Sequence, residues 1–244
     1  MQAYHNDPMI KENLIKQLQA HYDADEIIKG VYWKDGKGCS IGCAIHSDDH
    51  KLYEERFNIP EWLAKLQDSI FEGLPNDKAK EWPILFSKSI NLGSNLENIK
   101  IPFLIFVVES VIDKFNHDEF PDVKKAIDNV LHILKNNPND KNAVRDADSA
   151  WAAWAADFSW TSEAAARAAD SAWAAYAADA YADSAEAADS VDSAVRAAAY
   201  ADSAVRAADS ADDAAAYDVY AALAAWAAYE KFADKLIQLI VDCE

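Results

Sequence analysis

The segment Asp35-Gly36-Lys37-Gly38-Cys39-Ser40-Ile41-Gly42-Cys43-Ala44-Ile45-His46-Ser47-Asp48-Asp49-His50 gathers two of the chain's three cysteines and two of its six histidines. If it turns helical at about Gly38, Cys39, Cys43, His46 and His50 fall at i, i+4, i+7 and i+11 on one side. Two chemistries follow from that spacing. A metal could take two ligands from Cys43 with His46, or from Cys39 with Cys43. All four cannot share one ion, because i to i+11 spans about 16 Å of helix axis, and the spacing matches no standard zinc pattern. A nucleophile is the second chemistry. A thiol at a helix N-terminus after the Gly36-Lys37-Gly38 loop would ionise more easily beside the helix dipole and Lys37, and the loop amides could hold a small anion. Against both stands a plainer reading, in which small residues let a short helix pack tightly and the cysteines fill core.

The elements that would position this segment read as helices. Asp7 and Pro8 mark a helix start, with Ile10, Leu14, Ile15 and Leu18 at helical spacing behind them. A second helix is predicted over 25–33, ending in the turn 34–38. Pro60 opens a helix bearing Trp62, Leu63, Leu66, Ile70 and Phe71, and Gly73-Leu74-Pro75 closes it. Asn76-Asp77 starts the next, through Trp82, Ile84, Leu85, Phe86 and Ile90, with Pro83 expected to kink or restart it. The apolar run 101–112 fits a buried helix. Pro121 opens another, carrying Val123, Ile127, Val130, Leu131 and Leu134, and Pro138 stops it. No alternating strand pattern or Asn-Gly hairpin signal appears, so the front, residues 1–138, reads as an all-α domain.

Residues 139–244 contain no glycine or proline, and 41 of the 106 are alanine. One uninterrupted helix would reach roughly 160 Å and leave its aromatics without partners, so the region is expected to fold back as an array or bundle of helices. Asp148-Ser149-Ala150-Trp151, Asp170-Ser171-Ala172-Trp173 and Asp192-Ser193-Ala194-Val195 recur every 22 residues, about six helical turns, which returns equivalent side chains to one face. Phe232, Leu236 and Leu239 supply an apolar stripe near the end. The fold class predicted is all-α: a helical front domain followed by an acidic, alanine-rich helical repeat region.

The net charge of −19 and a pI near 4.6 argue against direct nucleic-acid or anionic-membrane binding, which needs clustered Lys and Arg. Residues 139–244 hold 20 acidic and 7 basic side chains, most of that excess. A protein partner with a basic surface is the natural complement, and Asp170, Asp183, Asp192, Asp202 and Asp209 are the acids expected to face outward and bind it. An odd number of cysteines beside an ample core fits a reducing compartment. Residues 1–10 have no signal pattern and no run approaches the ~18 apolar residues of a membrane span, so a cytoplasmic location is expected. No nucleotide fingerprint, calcium loop or serine-histidine-acid order is visible, and no cofactor is expected. An ice-binding face would need regularly spaced threonine, and Thr161 is the only one.

The GC-x-x-GC-x-x-H box from Gly38 to His46, the stretch from Tyr32 to Cys39 and the run from Ile59 to Asn76 resemble a group of bacterial and prophage-borne proteins that end in alanine-rich repeats and have no assigned activity. More weakly, residues 121–167 resemble immunity proteins of bacterial polymorphic toxin systems. Charge and architecture alone point to a non-enzymatic interaction protein that binds and blocks another protein through its acidic helical surface, a molecule that an immunity or anti-defence role would suit. The rival expectation is a cysteine-dependent enzyme, or a protein that binds a small anion or metal, centred on Cys39, Cys43, His46 and Lys37.

Overall fold

The computed structural model describes residues 1–47, 49–112, 121–136 and 214–243. Among them are eight α-helices and one two-stranded hairpin, an all-α fold. The chain divides into two compact units, one of Met1–Lys100 with Tyr229–Glu244 and one of Ile101–Ala228. The domain boundary expected at 138/139, most of the 22-residue repeat and all five candidate binding aspartates lie outside the described residues.

In the first unit the N-terminus makes a left-handed turn, with Tyr4, His5 and Asn6 all at φ between 53° and 57°. Non-glycine residues adopt this conformation at a cost, which burial of Tyr4 and donation of its hydroxyl to the Ser87 carbonyl at 2.8 Å offset. Helix α1 (Pro8–Asp23) then starts as its sequence predicts, the Asp7 carboxylate accepting from the Met9 amide at 2.8 Å and Pro8 in the first turn. Leu14 and Leu18 are its buried stripe.

The helix predicted over 25–33 does not form. Asp25 (φ 56°) and Gly30 (φ 75°) are left-handed, which no α-helix accommodates, and the β-branched and aromatic residues around them pair instead. Ile27 bridges Gly38, and β1 (Trp33–Lys34) pairs antiparallel with β2 (Lys37–Gly38) in the register Trp33 to Gly38 and Lys34 to Lys37. Asp35 (φ 53°) and Gly36 (φ 82°) form the two-residue connection. Both central residues at positive φ are the signature of the hairpin turn for which Asp-Gly is a preferred pair.

Helix α2 (Ser40–Ile45) lies against this hairpin, the Cys39 amide donating to the Val31 carbonyl at 2.7 Å. Gly38 and Gly42 make that approach possible. A Cβ on Gly38 would stand 2.0 Å from the Tyr32 carbonyl oxygen, and one on Gly42 only 1.5 Å. The helix stops at His46, which turns left-handed at φ 54°, and α3 (His50–Phe57) begins afresh under an Asp49 cap. The continuous helix that would set Cys39, Cys43, His46 and His50 on one side is therefore broken between His46 and His50.

Helices α4 (Glu61–Gly73) and α5 (Asn76–Ser89) follow with the predicted starts. Pro83 neither ends nor restarts α5; Trp82, Pro83, Ile84 and Phe86 are buried, and that packing carries the helix across one missing hydrogen bond. The Trp82 indole N–H donates to the Gln67 carbonyl at 2.9 Å, tying α5 to α4. The last turns of α8 (Ala214–Val241) complete the unit by burying Phe232, Ala233, Leu236 and Ile240. Ile240 takes the place expected for Leu239, because a spacing of i, i+4, i+8 keeps one face of a straight helix. Each of the large side chains contributes about 1.5–3 kcal/mol on burial, so apolar contact outweighs the exposed Lys78–Glu230 pair (2.7 Å), worth at most about 1 kcal/mol.

In the second unit, α6 (Lys100–Ile112) buries Phe103, Leu104, Val107 and Val108, and α7 (Pro121–Asn136) buries Ile127, Val130, Leu131 and Leu134. Lys135 pairs with Glu109 at 2.5 Å. Both helices match their predicted bounds closely. None of the described helices is long and apolar enough to cross a membrane.

The glycine approach makes a sharp mutational forecast. Gly42→Ala forces backbone against backbone and should cost more than about 3 kcal/mol in urea denaturation of the full chain. Gly30→Ala, where φ is +75° but nothing lies within 4 Å of a Cβ, should cost only about 1 kcal/mol. Equal costs at the two positions would show that Gly42 does not touch the Tyr32 carbonyl.

Candidate functional site

Cys39 is the N-cap of α2, its sulfur accepting from the Gly42 amide at 3.5 Å. Its side chain is buried rather than displayed at the helix mouth. Burial pushes the thiol far above its ordinary value, and the charged neighbour acting on it is the Asp68 carboxylate, which raises it further. Cys43 is also buried, donating to the Gly38 carbonyl at 3.3 Å. Burial, with Glu26 adding to it, lifts Cys43 to about 12. The conditions expected of an activated thiol are thus reversed at both positions. Lys37 is exposed in β2.

His46 departs from the cysteines. Its left-handed backbone turns the ring back over the hairpin, stacked on Trp33 (centroids 4.4 Å apart, planes at 17°) and edge-on to His21 (5.1 Å, 89°). The Nε2 atoms of His46 and His21 are 2.9 Å apart, and the Nδ1 of His21 lies 2.6 Å from the Glu26 carboxylate. Gln17, one helical turn before His21 on α1, donates its amide to the carbonyls of Cys43 (2.6 Å) and Ala44 (2.9 Å) and lies 3.3 Å from His46 Nε2. Arg56 of α3 donates to the Ile45 carbonyl at 2.9 Å. Burial, then the neighbouring His21 and Arg56, hold His46 below its ordinary 6.5, with Glu26 opposing.

The structure therefore assembles Glu26, His21, His46, Gln17 and Trp33 from α1, the segment after it, the hairpin and the end of α2. Of the residues singled out by sequence spacing only His46 belongs to this group. Among the described residues no group of three or more His, Cys, Asp or Glu is arranged to hold a metal ion. What the cluster can do is hold and pass a proton along the line Glu26, His21, His46, open to solvent at His46. Its one sequence signal was the i, i+4 spacing of Gln17 and His21 beside the buried Leu14 and Leu18 of α1; Glu26 and Trp33 carry none.

No family model, curated protein or solved structure matches the chain.

The thiol environments can be checked by alkylation. With Cys43 at about 12, its thiolate fraction at neutral pH is on the order of a thousandfold below that of a free cysteine. Iodoacetamide should therefore modify Cys39 and Cys43 at least about a hundredfold more slowly in the folded chain than in urea. Mass spectrometry showing either cysteine labelled in the folded chain at the free-thiol rate would overturn the assignment.

Proposed function

We propose that this chain is a non-enzymatic acidic interaction protein that binds and blocks a protein with a basic surface, in an immunity or anti-defence role. The observation that carries the reading is the distribution of charge: net −19 over the chain, with 20 acids against 7 bases in residues 139–244. A field of that sign repels phosphate backbones and anionic lipid, and it steers a cationic protein surface. The buried, proton-retaining environments of Cys39 and Cys43 weigh on the same side, since the rival reading asks for an ionised thiol. Asp170, Asp183, Asp192, Asp202 and Asp209 are the proposed contacts, with the aromatics beside them as anchors. The cytoplasm is the proposed compartment.

Affinity capture from a native host lysate at low and high salt, followed by mass spectrometry, tests this. A basic protein should be recovered at low ionic strength and lost as salt screens the contact. Reversing the five aspartates to lysine should abolish its recovery. A partner retained equally at high salt, or by the reversed variant, would contradict the proposal.

A further inference from the structure

We propose that the facing Nε2 atoms of His21 and His46 form a proton-operated latch between α1 and the C-terminal corner of α2, closed with one proton between the rings and open with two. A carboxylate only accepts, so at 2.6 Å from Glu26 the Nδ1 of His21 carries a proton. At 2.9 Å, two nitrogen lone pairs or two N–H groups would repel. The contact therefore requires a single proton on one Nε2 and a lone pair on the other. Protonating both rings sets N–H against N–H and two imidazolium charges with centroids 5.1 Å apart.

The surroundings make that doubly protonated state costly. From the segment before the hairpin, Glu26 offsets one positive charge. From α3, Arg56 brings another to the corner through its bond to the Ile45 carbonyl. Within α2 the nearest titratable group is the buried Cys43, which stays neutral. Gln17 commits its amide to the Cys43 and Ala44 carbonyls, and Trp33 offers only a ring face. The excess charge leaves by the exposed side, where the His46 ring can swing off Trp33 into solvent.

The sign of the pH dependence follows. His46 is held below 6.5 when folded, so the unfolded or unlatched chain takes up the proton first. The latch is fully engaged above about 6.5 and is lost as pH falls from there through the lower folded value.

Long-range proton–nitrogen NMR of the histidine rings in the full chain, from about pH 8 to about pH 5, reports each ring's protonation. Hydrogen exchange over residues 40–47 reports the corner. Below pH 6.5, His46 should become doubly protonated in the same step in which protection over 40–47, taken against the intrinsic exchange rate at each pH, falls by about tenfold or more. His21→Gln should raise the pH at which His46 gains its proton, since burial and Arg56 still hold it down while the His21 contribution is gone, and should remove the exchange step. His46→Asn, which keeps a residue that tolerates the left-handed backbone, should remove the exchange step too. If His46 gains its proton with no change in protection, or the step persists in either variant, the latch does not exist. The unmutated chain decides the matter alone should a variant fail to fold.

Discussion

The first unit depends on one close approach: the carbonyl of Tyr32 lies against the backbone of Gly38 and Gly42, where a Cβ would stand 2.0 Å and 1.5 Å away. Only hydrogen fits in that gap. Because it fits, a six-residue helix can lie on a hairpin of two-residue strands, and Cys39 and Cys43 are carried inward. The left-handed turn at His46 then ends α2 and sets its ring over Trp33 and beside His21.

A helix this short has little cooperative stability of its own, and its last carbonyls must find partners outside it. They do. The Gly42 carbonyl keeps the helix's own bond from the C-cap His46 amide at 2.7 Å, and beyond it the Cys43 and Ala44 carbonyls accept from Gln17 and the Ile45 carbonyl from Arg56. Three elements thus converge on the end of α2: α1 through Gln17, α3 through Arg56, and the hairpin through the His46 stack. The polar cluster at this corner follows from the bonds that hold the short helix in place, and proton sensitivity arises because two imidazoles are among the groups brought together.

Much of the fold was legible in the sequence where proline and capping residues state the element directly. Asp7-Pro8, Pro60, Asn76-Asp77 and Pro121 each mark a helix start within a residue or two, and the apolar run 101–112 is the helix its length predicts. The hairpin was missed although Asp35-Gly36 is a strong turn pair, because the strands it joins are two residues long and show no alternation. The corner at His46 was missed for a related reason: a non-glycine residue in the left-handed region leaves no mark in composition, so a continuous helical face through His50 looked consistent. The cluster joins His21 to His46 across 25 positions, and nothing in the local pattern of either predicts the meeting. The acidic repeat contributes charge that the sequence shows plainly, and it is the basis of the proposed interaction role.

The approach of Gly42 to the Tyr32 carbonyl holds α2 on the hairpin and with it the His46 ring on the Trp33 indole, centroids 4.4 Å apart, and that stacking can be observed directly by NMR in the unmutated chain. A nuclear Overhauser cross-peak between ring protons of His46 and Trp33 is the result expected. Its absence, in a spectrum that shows the cross-strand peaks of the hairpin itself, would contradict the account and remove the basis for placing His46 beside His21.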